Sequence, residues 1–109
     1  DNKIFYLSNV IKLDSIGFKQ AYRFVVRGYF ETMEGKNIAC VVEGSYDGRK
    51  FKPLGYNRKS GKFRDIGCIV ERTDVRFYRI CLSGHVTGKT RIDYMEISAG
   101  ASMLNTKIR

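Results

Sequence analysis

Apolar and polar residues alternate at period two through most of the chain, and no segment carries an apolar stripe at helical spacing over ten residues. The clearest alternation lies in residues 20–31, where Tyr22, Phe24, Val26 and Phe30 share one face. Arg23, Val25, Arg27 and Tyr29 share the other. The first set reads as core, and the second mixes arginine with apolar groups as a contact surface does. Gly28 interrupts the core face and leaves room for a close neighbour. Residues 75–97 carry two further strands, the first with Tyr78, Ile80 and Leu82 inward and Phe77, Arg79 and Cys81 outward. Ile92 and Tyr94 continue the inward alternation in the second.

The remaining strands follow the same logic. Residues 4–13 place Phe5, Leu7, Ile11 and Leu13 on one parity, broken by Asn9, which marks an irregularity. Asp14 and Gly17 bracket turn chemistry. Residues 38–42 are continuously apolar and predict a strand covered on both faces. Asp47-Gly48 signals a hairpin, and Pro53 restricts the returning strand at 51–56 to a sheet edge. Residues 57–62 read as a basic turn, and 63–71 as a strand with Ile66, Cys68 and Val70 on one parity. Asp65, on the opposite parity, is positioned to pair with an arginine. After Ile97 the periodicity fades. Residues 1–98 therefore predict one all-β domain, an antiparallel jelly-roll-like sandwich of about seven to eight strands, and 99–109 a tail or linker in which Met103 and Leu104 are the docking residues.

Composition narrows the function classes. At 109 residues with 43% hydrophobic content the chain is long enough for one buried core. No apolar run reaches the ~20 residues of a membrane span. The formal charge of +9 favours acidic partners: nucleic acid, anionic lipid or an acidic protein surface. Cys40, Cys68 and Cys81 lie inside apolar runs without a C-x-x-C pair, as buried reduced thiols do. One disulfide plus a free thiol is the alternative.

Catalytic signals are weak. Ser83-Gly-His-Val-Thr-Gly-Lys-Thr90 imitates a phosphate loop, but Ser83 replaces the first glycine and the residues after Thr90 alternate like a strand instead of opening a helix. His85 is the single histidine and has no carboxylate or cysteine cluster beside it. The acids are scattered among nearly twice as many bases, so ion pairing is their expected role. No enzyme, no cofactor and no metal site is expected. The densest basic stretch, residues 49–64, interleaves Phe51, Tyr56 and Phe63 with arginines and lysines, the chemistry of a single-stranded nucleic-acid surface.

Three motifs in order, Glu43-Gly-Ser-Tyr-Asp-Gly-Arg-Lys-Phe51, Val75-Arg-Phe-Tyr-Arg-Ile80 and Tyr94-Met-Glu-Ile97, resemble the galactose-binding-like jelly roll of discoidin and coagulation-factor C-type modules. The resemblance covers about the C-terminal two thirds. The chain departs from it in being short and in lacking tryptophan and a terminal disulfide pair. It implies a sandwich fold, used both for carbohydrate binding and as a building block of tail and head-decoration proteins of bacterial viruses.

The reading that follows is a non-catalytic interaction module, a structural part of a multi-subunit assembly such as a virion. Arg23, Arg27, Tyr29, Phe77 and Arg79 are its interface residues, with other protein subunits or further copies as partners. The alternative is a carbohydrate-binding module with Tyr46, Asp47, Arg58 and His85 as loop contacts, and single-stranded nucleic-acid binding comes third. The first reading places the protein in a virion or a complex assembled in the cytoplasm. The second places it outside the cell or on its surface. Neither involves insertion into a membrane.

Overall fold

A computed structural model describes residues 3–12, 22–70, 75–99 and 102–106. They form β1 (Lys3–Leu7), β2 (Ile11–Lys12), β3 (Tyr22–Glu31), β4 (Ile38–Ser45), β5 (Lys52–Lys59), β6 (Lys62–Val70), β7 (Phe77–His85), β8 (Arg91–Ala99) and β9 (Ser102–Thr106). All pairings are antiparallel. The first sheet runs β1-β7-β4-β5, with β2 also on β7, and the second runs β6-β3-β8-β9. The architecture is a β-sandwich. The expected turn at 14–17 and the approach at 71–74 lie outside the described residues.

The core is where alternation puts it on the central strands. Phe24, Phe30, Ile38, Cys40, Val42, Ile80 and Leu82 are fully buried between the sheets. Tyr22 and Phe24 from β3 meet Tyr78 from β7 at ring-centroid distances of 6.0 and 5.3 Å, joining the two layers by aromatic packing. Burying each such ring contributes roughly 2–3 kcal/mol before entropy is set against it.

Three inferences from alternation are corrected by bulges and by one-sided cover. In β1, Ile4 and Tyr6 pack on the core while Phe5 and Leu7 point outward. The chain takes four steps from Leu7 to Ile11 against three along β7, from Cys81 to Tyr78. That extra residue switches the inward parity, so Ile11 reaches the core although Phe5 and Leu7 do not. In β8 the register against β3 passes from Arg27↔Tyr94 to Gly28↔Ile92 and leaves Asp93 unmatched. Past that bulge Met95 and Ile97, not Tyr94, enter the core. In β4, Ile38, Cys40 and Val42 are buried while Ala39 and Val41 are only half-buried, so the apolar run is covered on one face, not on both.

The chain changes layer repeatedly. β7 and β8, consecutive in sequence, lie in different sheets, and the segment between them crosses the end of the sandwich. There Val86 bridges to Thr32, and the Thr87 N–H donates to Glu31 C=O at 2.9 Å. β5 and β6 also lie in different sheets with only Ser60 and Gly61 between them. The two edges are stitched by Asn57 Nδ2 donating to Gly67 C=O at 2.7 Å and Lys59 Nζ to Asp65 C=O at 2.8 Å. The residues that lose periodicity after Ile97 carry β9, with Met103 opposite Ser98 and Leu104 opposite Ile97.

Candidate functional site

Alternation and register together place an apolar row on the outer face of the first sheet. Leu7 opposes Cys81, Cys81 opposes Val41, and Val41 opposes Tyr56, one residue from each of the four strands. The next row is Phe5, Ser83, Ala39 and Arg58. Phe5 is 71% exposed, Tyr56 55% and Leu7 44%, with Cys81, Val41 and Ala39 half-buried between them. Single exposed apolar residues are ordinary on a surface; here they line up in one row across the four strands of the sheet.

Ion pairs and cation–aromatic contacts frame this face. Arg79 Nε donates to Glu43 Oε1 at 2.7 Å, and its guanidinium lies 3.9 Å from the Phe51 ring centroid. Arg58 lies 5.5 Å from the Tyr56 centroid and Lys12 5.9 Å from that of Phe77. Burial pushes the Cys81 thiol pKa up, so the row keeps an uncharged sulfur.

The five expected interface residues divide between the two sheets. Phe77 and Arg79 lie on the first sheet just beyond the apolar row, Phe77 partly covered by Gly48 and Arg79 held by Glu43. Arg23, Arg27 and Tyr29 lie on β3 in the second sheet. Arg27 pairs with Glu96 and with Asp65, and Lys59 also reaches Asp65, so the expected arginine partner of Asp65 is present. The Glu96 hydrogen bond raises the Arg27 pKa and keeps the guanidinium charged. Tyr29 donates to Glu31, and Arg64 covers its ring. Val25, read as outward, is 2% exposed among these groups. On that face Arg27 and Tyr29 are engaged within the chain. Of its three candidates, Arg23 alone is an exposed side chain without an ion pair among the described residues.

The four expected loop contacts do not converge. Tyr46 and Asp47 follow Ser45 at one end of β4, whereas Arg58 opposes Ala39 and His85 follows Gly84 near the other end. Six residues of strand separate Ala39 from Ser45, roughly 20 Å. Asp47 organises its own turn, with Oδ1 accepting from Ser45 Oγ at 2.9 Å, Arg49 N–H at 2.8 Å and Lys50 N–H at 3.1 Å. Those backbone donors, Arg49 first, lower its pKa. The phosphate-loop imitation closes as a turn, Thr90 N–H donating to Thr87 C=O at 3.2 Å, and β8 follows it directly.

Among the described residues no group of three His, Cys, Asp or Glu side chains could hold a metal ion, and no helix is long and apolar enough to cross a membrane. The basic stretch 49–64 is dispersed: Lys52 lies over Tyr46, Arg58 over Tyr56, Lys59 over Phe63 and Arg64 over Tyr29. Alternation does not single out Phe5, Leu7, Val41 and Tyr56 as an outward apolar row. Their sequence signal is the absence of contrast: IFYL and IACVV are apolar on both parities, which a strand needs only when both faces meet something. Comparison with family models, with curated proteins and with solved structures gives no match.

Proposed function

We propose that this chain is a non-catalytic β-sandwich interaction module that takes a structural place in a multi-subunit assembly such as a virion, with the outer face of the first sheet as its contact surface. The observation that carries the reading is the row Leu7, Cys81, Val41 and Tyr56, continuous across four strands and flanked by exposed Phe5. Leaving such side chains in water forgoes about 25 cal/mol for each Å² that a partner would cover. The ordered motifs shared with galactose-binding-like modules support the same reading, since that sandwich serves as a building block in viral tails and heads.

The test is incorporation into the native assembly. Leu7→Ser and Tyr56→Ser remove apolar contact from already exposed positions, so thermal unfolding should stay within a few degrees of the parent. The mass of the assembly isolated with its partners should fall by the loss of this subunit. An unchanged assembly carrying both substitutions would refute the assignment of the face.

A further inference from the structure

Resting on the interaction-module reading, we infer that the occupant of this face is a second protein whose contact surface is apolar at its centre and acidic at its rim. The size of the apolar row supplies the first step. Four strands at about 4.8 Å spacing and some four residues of length cover roughly 250 Å², against ~800 Å² on each side of a standard interface. A stable contact here must take in the surrounding side chains as well, and their charge decides which partner fits.

Those side chains are cationic. Lys3 heads the β1 column above Phe5, and Arg58 ends the row that Phe5 begins. Both are exposed, and neither forms an ion pair among the described residues. Among the described residues the one acid on this face is Glu43, already committed to Arg79 at 2.7 Å. The charge of +9 on the chain adds a long-range field of the same sign. An acidic rim would neutralise Lys3 and Arg58 as they lose water, whereas a basic or neutral rim would leave them desolvated without partners.

The same features disfavour the other occupants. A second copy laid face to face would bring two Lys3–Arg58 rims together. A nucleic-acid strand would supply the charge but needs open rings to stack on. The central row offers Leu7, Cys81 and Val41, its aromatic member, Tyr56, already has Arg58 over its ring, and Phe5 in the next row is a single open ring, short of a platform for successive bases.

Two strand-forming peptides with identical alternating leucine and tyrosine, one with glutamate and the other with lysine at the polar positions, test this against the intact chain by fluorescence anisotropy. The glutamate peptide should bind at least about tenfold more tightly, and rising salt should narrow the difference. Lys3→Glu combined with Arg58→Glu should reverse the preference, while Leu7→Ser weakens both peptides and leaves the thermal melt in place. Equal binding of the two peptides, self-association of the chain at the same concentrations, or displacement of the glutamate peptide by oligothymidylate would each overturn the inference. A native partner recovered on this face with a basic or neutral rim would overturn the acidic assignment and leave the module reading standing. An assembly indifferent to Leu7→Ser and Tyr56→Ser would remove both.

Discussion

Ser8 substitutes for a strand residue opposite Ile80: its backbone N–H donates to Ile80 C=O at 2.9 Å while its Oγ accepts the Ile80 N–H at 2.9 Å. The side-chain oxygen takes the place of the carbonyl that the bulge between β1 and β2 carries out of register. The Oγ in turn donates to Asn9 C=O, and the whole group is buried at 5% exposure. Ser8→Ala would leave a buried N–H unpaired, at a cost of about 1–3 kcal/mol. Urea unfolding should show a lower midpoint with an unchanged slope.

The Arg79–Glu43 pair is under one third exposed on both sides, at 28% and 23%, and is backed by the Phe51 ring. Arg79→Ala and Glu43→Ala in a double-mutant cycle should show a coupling of about 1 kcal/mol, above the value of an exposed surface pair. Arg79→Lys should recover only part of it, because an ammonium cannot stack flat on Phe51 while donating to the carboxylate.

Asp47 is expected to govern part of the acid sensitivity of the domain. Its folded-state pKa is lowered by backbone donors, so its contribution is present above its unfolded pKa and is lost as pH falls through the lower folded value. The window therefore opens near pH 4, the ordinary carboxylate range, and extends downward. Asp47→Asn should flatten the stability–pH curve in that window and leave the neutral-pH binding of the contact face intact.

Gly67 tolerates no side chain. A Cβ there would fall 2.1 Å from Phe24 C=O and 2.7 Å from Val25 Cα, both backbone atoms of the paired strand. Gly67→Ala should cost upward of about 3 kcal/mol or abolish folding. Gly88, in the loop that imitates a phosphate site, has nothing within 4 Å of the same position. Gly88→Ala and Lys89→Ala should both melt close to the parent, and neither should alter any binding to the first sheet.

Cys40 is fully buried in the core, and the adjoining Cys68 thiol together with burial pushes its pKa far up. A thiolate is the reactive form. Cys40 should resist a disulfide reagent in the folded state and react on unfolding, at a rate that tracks opening of the core, as read by mass spectrometry of digested, labelled protein.

Much of the fold is legible in the chain because side-chain alternation is a local property. Tyr22, Phe24, Val26 and Phe30 alternate against Arg23, Arg27 and Tyr29; Tyr78, Ile80 and Leu82 alternate against Phe77, Arg79 and Cys81; and all the inward residues are buried. Asp47-Gly48 predicts the hairpin that pairs β4 with β5, Gly48 taking a positive φ of 80°. Gly28 does admit a close neighbour, the Arg91 carbonyl. The proposed contact face is less legible, because Phe5, Leu7 and Val41 stand beside residues as apolar as themselves and alternation carries no contrast there.

By itself, then, the sequence determined the all-β class, the inward faces of its best-alternating strands and the net cationic balance. Tertiary structure decided which strands share a sheet, where a bulge reverses the inward parity, and which charges find partners. It placed consecutive β7 and β8 in opposite layers and brought Leu7, Cys81, Val41 and Tyr56 into one row from distant parts of the chain. The physical reason is that strand pairing is a choice among non-local hydrogen-bonding partners, made by the total burial of the sandwich. Alternation constrains only the two sides of each strand taken alone.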